Sequence, residues 1–268
     1  MIDFARSLLR RRRYCPATHV PTVRHTTYHE QGNQWYRPLL AGPSSLISAT
    51  VGGQAVREVL TVLERLSADK YMDFVLNFYR AGLDRFGDNW VYADINTVLF
   101  GLARVLQPST YLEIGVRRGR SMAVVVSQAP DCHAVGFDLW IPDYAVMENP
   151  GPEFVRRELV RVANTGRLEF VDGDSKQTVP MYFRQNPDIY FDLLTVDGDH
   201  SVSGAEADLS NVMERVKIGG ALVFDDVANQ DHPGLRAVWD KVVGNNPAYA
   251  SYVFDEIGFG VAFGIRKY

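Results

Sequence analysis

The feature that most constrains this chain is a change of rhythm after Pro108, where short apolar runs begin to alternate with amphipathic segments. "TYLEIG" reads as a strand, "RSMAVVVSQA" as a helix, "CHAVGFD" as a strand, "PEFVRRELVRVAN" as a helix and "RLEFVDG" as a strand. The pattern continues through "KQTVPMYFRQ" (helix), "YFDLLTVDG" (strand), "AEADLSNVMERV" (helix) and "GALVFDD" (strand). A helix near 234–244 follows, then two closing strands around 249–255 and 259–266. Strict alternation of this kind builds βαβ units, and hence a mostly parallel sheet with helices on both faces. Only "DEIG" joins the last two strands, which leaves no room for a crossover helix and predicts antiparallel pairing. The expected class is α/β, with a doubly wound, seven-stranded, mostly parallel sheet and an antiparallel last strand.

Upstream of that domain the pattern differs. Residues 1–50 lack sustained periodicity and carry Pro16, Pro21, Pro38 and Pro43, which predicts an irregular N-terminal arm serving as lid or oligomer contact. From Gln54 to Leu66 the apolar positions Val56, Val59, Leu60, Leu63 and Leu66 fall on one helical face. Residues 71–86 and 91–106 also read as helices, the latter through Ile95, Val98, Leu99, Leu102 and Leu106. The expected division is an arm over 1–50, a helical preface over 51–91 and the α/β domain over 92–268.

Composition is that of a soluble globular protein, with 46% hydrophobic and 22% charged residues. A net charge of −4 and a pI near 5.9 argue against a nucleic-acid partner held by a broad basic surface. The only two cysteines, Cys15 and Cys132, make no disulfide framework and suit a reducing compartment, the cytoplasm. No apolar run reaches membrane-spanning length. In "MIDFARSLLRRRRYC" the basic residues follow the short apolar stretch instead of preceding it, unlike a signal peptide. Arg10 to Arg13 then read as a solvated arm.

Polar residues collect where the strands end. The five parallel strands finish in Glu113-Ile114-Gly115, in Asp138, in Asp172-Gly173-Asp174-Ser175, in Asp197-Gly198-Asp199-His200 and in Asp225-Asp226. Ligands of an open α/β sheet bind outside the carboxyl ends of its strands, so these residues share one edge. Gly115 and Gly119 allow a tight turn and close backbone approach to a ligand. Their G-x-x-x-G spacing differs from the G-x-G-x-x-G of nicotinamide dinucleotide sites, since position 117 is Arg. Asp138 is placed to accept the hydroxyls of a ribose. The edge therefore suits a nucleoside that lacks a pyrophosphate.

On these residues the sequence resembles the class I S-adenosylmethionine-dependent methyltransferases over roughly residues 92–266. The resemblance implies a Rossmann-like domain in which Glu113, Gly115 and Gly119, with Ser121, lie along the methionine part of the cofactor. It implies that Asp138 binds the ribose and that Asp174 and Ser175 flank the adenine, with Asp197 bordering the same cofactor.

Strands four and five should be neighbours, about 4.8 Å apart, which brings Asp197 toward Asp225 and Asp226. Three carboxylates so close repel, and one takes up a proton unless a cation sits among them. An all-oxygen set suits a hard ion such as Mg²⁺. His200, at the mouth of the same cleft, has the ordinary pKa of a general base near neutrality. Asp199 reads as a turn or cap residue. "VDGDH" followed by "VFDD" resembles the metal-dependent O-methyltransferases that act on macrolide sugars, and relatives described as cephalosporin hydroxylases. That resemblance implies Mg²⁺ held by Asp197, Asp225 and Asp226, with His200 as base and Asp197 in the catalytic set. The chain departs from it in having Asp-Asp after strand five where Glu-Asp is expected, which shortens the ligands' reach. Catechol-type enzymes place Lys at the His200 position and end strand five with Asp-Asn.

The expected function is Mg²⁺-dependent methylation of a hydroxyl on a small molecule, a sugar of a glycosylated product or glycan. The alternatives are a catechol-type phenolic O-methyltransferase and, from another class, an oxidoreductase or hydroxylase of the cephalosporin hydroxylase-like type, for which the second close glycine and an H-x-D…H iron triad are missing. A non-catalytic binding protein would have no need to keep mutually repelling acids. Three segments are expected around the acceptor, or in contacts of a homo-oligomer: the aromatic loop 139–154 (Trp140, Tyr144, Met147 and Phe154), the arm 25–38 and the loop 229–234.

Overall fold

The computed structural model describes residues 21–23, 40–142 and 148–268. The expectations for Arg10 to Arg13, for the arm 25–38 and for Tyr144 and Met147 lie outside the described residues.

Four helices precede the sheet: α1 (Pro43–Thr50), α2 (Gly53–Leu63), α3 (Lys70–Phe86) and α4 (Ile95–Leu106). Helix α1 lies within the stretch expected to be irregular. Pro43 opens that helix at its first turn, where its missing N–H costs nothing. Asp69 caps α3 by accepting from Met72 N at 2.7 Å. Asp94 caps α4 in a reciprocal box with Thr97, which starts the helix later than its apolar pattern alone implies. Gly101 of α4 lies against the Ala49 carbonyl of α1, where a Cβ would overlap it. None of the described helices is by itself long and apolar enough to cross a membrane.

The sheet comprises β1 (Thr110–Ile114), β2 (His133–Asp138), β3 (Leu168–Asp172), β4 (Phe191–Val196), β5 (Val216–Asp225), β6 (Tyr249–Phe254) and β7 (Val261–Arg266). Their spatial order is β3-β2-β1-β4-β5-β7-β6. The first five are parallel, and β7 runs antiparallel between β5 and β6. This is the doubly wound, Rossmann-like arrangement expected from the alternation. Helices α5 (Arg120–Gln128), α6 (Pro152–Arg161), α7 (Ser175–Gln185) and α8 (Val202–Val212) make the crossovers. The helix expected near 234–244 is α9 (Leu235–Trp239) running into a π-type turn, Asp240–Gly244. Upstream, Thr22 bridges Ile218 at the start of β5.

Period-two alternation assigns each strand residue to one of two cores. Tyr111, Leu193, Ala221 and Val223 pack with α1–α6, whereas Leu112, Leu194, Leu222 and Phe224 pack with α7–α9. Continuing that alternation past the strand ends puts Asp197 and Asp225 on the side of the N-terminal helices.

At the opposite end of the strands, Asp192 ties β1, β4 and β5 together. Its Oδ2 accepts from Ser109 N at 2.9 Å, Thr110 N at 3.0 Å and Lys217 Nζ at 2.9 Å. Because Asp192 is fully buried, removing it strands Lys217 and two backbone donors. Asp192→Ala should lower the unfolding free energy by about 3 kcal/mol, read by urea denaturation.

Candidate active site

The carboxyl ends of the parallel strands open into a cavity of about 300 Å³. Gly115, Ser121, Asp138, Ser175, Asp197 and Asp225 all line it, so one space joins the expected cofactor residues to two of the expected metal ligands. Glu113, Gly119, Asp174, His200 and Asp226 lie behind or beside that lining.

Each placement has a local cause. Gly115 sits at φ +91°, and a Cβ there would overlap the Asp197 carbonyl. The tips of β1 and β4 touch backbone to backbone only because a side chain is missing. Gly119, at φ +72°, begins α5 against Val155. Asp138 accepts from Arg117 N at 2.7 Å, from Trp140 N at 2.6 Å and from Asn149 Nδ2 at 3.1 Å. Those bonds fix the carboxylate at the cavity wall and leave it about one acceptor position for a ligand hydroxyl. Asp174 caps α7 through Lys176 N at 3.0 Å, while Ser175 faces the cavity. Asp199 accepts from Ser201 N at 2.8 Å and pairs with Lys176 at 2.9 Å, which is the turn-and-cap role its spacing implied.

Glu113 is fully buried beneath the glycine turn. Ser121 Oγ and Tyr111 OH bond its two oxygens, the latter at 2.8 Å. Burial pushes its carboxyl up to about 8, against which those two hydroxyls pull only partly. It braces Ser121 and the strand from below.

His200 stands between two acids, with Nε2 3.2 Å from Asp197 Oδ1 and Nδ1 3.3 Å from Asp226 Oδ2. Burial alone would depress the imidazole, but the Asp197 hydrogen bond and the charges of Asp197 and Asp226 outweigh it and raise the pKa. Asp226 adopts φ +61°, unusual for a residue with a side chain, and Asn229 Nδ2 bonds its Oδ2 at 3.2 Å. The His232 ring lies 5.0 Å from that of His200, so the loop 229–234 does reach this site.

For a cation the donor chemistry fits better than the arrangement. Burial and the charges of Asp197 and Asp226 drive the Asp225 carboxyl well above the ordinary range, the sign of negative charge without a counterion. Yet among the described residues no three acid, imidazole or thiol side chains are grouped to hold one ion. Asp225 faces the cavity, whereas Asp226 is turned toward His200 and Asn229. The residues fit a hard divalent ion in kind, and the His200 ring stands between Asp197 and Asp226.

Part of the cavity wall was not anticipated. Tyr71 of α3 and Ile95 and Asn96 of α4 line it, together with Arg118 and Arg120 of the glycine turn. In the loop after β2, Leu139, Ile141 and Asn149 face the cavity. Trp140 packs edge-on against Phe170 at 5.9 Å, and Phe154 lies under the Arg118 guanidinium at 4.4 Å. No local sequence signal marked Tyr71, Ile95 or Asn96 as part of this wall.

Comparison with known proteins agrees with this geometry. Residues 112–227 match the family model described as a methyltransferase domain. No curated protein matches the chain. Among solved structures, the O-methyltransferase NovP is 19% identical, with 80% of this chain and 99% of that chain covered and a TM-score of 0.54. The O-methyltransferase TomG from Streptomyces achromogenes, involved in tomaymycin synthesis and solved in complex with SAM, is 20% identical. Its alignment covers 76% of this chain and 92% of that one, with a TM-score of 0.52. CalS11, a TDP-rhamnose 3'-O-methyltransferase of calicheamicin biosynthesis, is 19% identical, with 80% and 93% covered and a TM-score of 0.50.

The buried Glu113 yields a pH test. The folded protein keeps its proton up to about 8, while the unfolded chain releases it near 4.5. Between those values the folded state binds more protons, so this group's contribution to stability falls as pH rises, by up to about 1.4 kcal/mol per unit. Glu113→Gln is neutral throughout and lacks that fall. Urea denaturation at pH 5.5, 6.5 and 7.5 should show the variant gaining stability relative to the parent as pH rises.

Proposed function

We propose that this chain, which carries a methyltransferase domain in a class I fold, transfers the methyl group of S-adenosylmethionine to a hydroxyl of a small molecule, a sugar ring being the favoured acceptor. The observation that carries the reading is the single cavity joining Gly115, Asp138 and Ser175 to Asp197 and Asp225. Such a cavity can hold a nucleoside along one edge and present its reactive end to a cluster of acids on the other. The SAM bound to TomG and the sugar named for CalS11 support cofactor and acceptor class, respectively.

In this mechanism Gly115 and the start of α5 receive the methionine part, Asp138 a ribose hydroxyl and Ser175 the adenine side. The acceptor oxygen attacks the methyl carbon, the carbon–sulfur bond breaks, and S-adenosylhomocysteine leaves. A neutral His200 would take the hydroxyl proton at Nε2, the nitrogen that faces Asp197 in the resting site, with Nδ1 oriented by Asp226. Asp197, Asp225 and Asp226 would hold a divalent cation such as Mg²⁺, which supplies positive charge that eases deprotonation of a hydroxyl. The remaining contribution is alignment of oxygen with methyl carbon.

Calorimetry should find S-adenosylmethionine binding at micromolar level and no binding of NAD⁺; the reverse result overturns the reading. His200→Ala and Asp197→Ala should each lower kcat/KM by about 100-fold or more while changing cofactor affinity little. Turnover at an undiminished rate in excess chelator would remove the cation from the mechanism.

A further inference from the structure

The cavity has two walls of different origin. One consists of strand tips and their loops, within the residues matched to the methyltransferase domain. The other consists of Tyr71, Ile95 and Asn96, which precede that domain in sequence and come from α3 and α4. A cofactor lying along the strand tips leaves this second wall facing the acceptor.

The chemistry of the second wall is specific. Tyr71 is 42% exposed, so its ring is open to a ligand as well as lining the cavity. The Arg120 guanidinium lies 5.3 Å from the ring centroid and steadies it from the cofactor side. Burial, with the charges of Asp225, Asp94 and Asp197, pushes the phenol up to about 12, so its hydroxyl stays a donor at working pH. Tyr71 lines the same cavity as Asp197 and Asp225. Ile95 adds an apolar patch, and the Asn96 amide, whose Nδ2 donates to Tyr79 OH at 3.5 Å, has a second N–H and an acceptor oxygen besides.

We propose that Tyr71 and Asn96 form the acceptor subsite, and that it takes a pyranose ring, its C–H face on Tyr71 and its rim hydroxyls toward Asn96 and Asp225. A planar phenol needs an apolar slot on both faces and hydrogen-bonds only at its edge. Here one aromatic face is surrounded by an amide, a phenol hydroxyl and carboxylates, which suits a ring with one apolar face and polar groups around its rim. The inference rests on the methyltransferase reading and names the residues that choose its acceptor.

The test uses the full chain saturated with S-adenosylhomocysteine, whose affinity is measured first by calorimetry. Saturation-transfer NMR is then recorded with the methyl pyranosides of rhamnose, mannose and glucose, and with catechol. At least one pyranoside should receive saturation on its ring C–H protons. Tyr71→Ala should weaken that pyranoside by about tenfold and Asn96→Ala by about fivefold, with S-adenosylhomocysteine affinity unchanged. Tyr71→Phe should retain most of the affinity, which separates the ring's role from a folding defect. Catechol bound in preference to every pyranoside, or a pyranoside insensitive to Tyr71→Ala, overturns the subsite. Failure to bind S-adenosylhomocysteine at all overturns the methyltransferase reading instead.

Discussion

The contact on which the site depends is between the backbones of Gly115 and Asp197. At φ +91° and without a Cβ, Gly115 lets the end of β1 rest on the Asp197 carbonyl. Two ladder bonds lock the arrangement, Gly115 N to Phe137 O at 2.9 Å and Asp197 N to Ile114 O at 2.9 Å. The glycine turn, the Asp138 strand end and the acid loop after β4 are thereby held as one rigid edge. Any side chain at position 115 would push the glycine turn away from the acid loop after β4.

Electrostatics at that edge is a contest between burial and hydrogen bonding, and the winner differs from residue to residue. Glu113 has two hydroxyl donors and still ends near 8, so desolvation wins. Asp94 has a capping amide and the hydroxyls of Tyr79 and Tyr92, yet burial keeps its carboxyl above the ordinary range too. Asp69, less deeply placed, falls below that range because a helix amide and two guanidinium groups outweigh its desolvation. Glu113, Asp94 and Asp225, acids in which burial outweighs hydrogen bonding, thus resist ionisation. A cationic cofactor or metal ion would reverse that balance, as an opposite charge favours the carboxylate.

Much of this edge was legible in the sequence because strand periodicity and strand-end polarity are local signals. The runs ending at Ile114, Asp138, Asp172, Val196 and Asp225 needed no tertiary information, and the pairing of β4 with β5 followed from crossover rules. Four things did not follow. Pro43 could open a helix or break one, and only the packing of α1 against Gly101 decides which. Glu113 carries a motif position but is sealed under the turn, because alternation points it into a core and Tyr111 and Ser121 close over it. Asp225 and Asp226 are adjacent in sequence yet serve different neighbours, since the left-handed φ of Asp226 swings its carboxylate to His200. Tyr71 and Asn96 reach the cavity through the docking of α3 and α4, a tertiary fact with no local trace.

That docking is itself tied to the cofactor turn. Asp69 caps α3 and also pairs with Arg118, at 3.1 Å, and with Arg120. Exposed pairs such as Arg57–Asp88 contribute at most about 1 kcal/mol. Arg118 is only 5% exposed and shares itself between Asp69 and Glu148, so losing Asp69 removes one of the two acids that hold a buried guanidinium and costs more than an exposed pair does. Tyr71 stands two residues after Asp69, and its ring is held by Arg120 from the same turn. The helix that carries Tyr71 is therefore pinned to the glycine turn by Arg118 and Arg120, so the two walls of the cavity are held to each other by the same side chains.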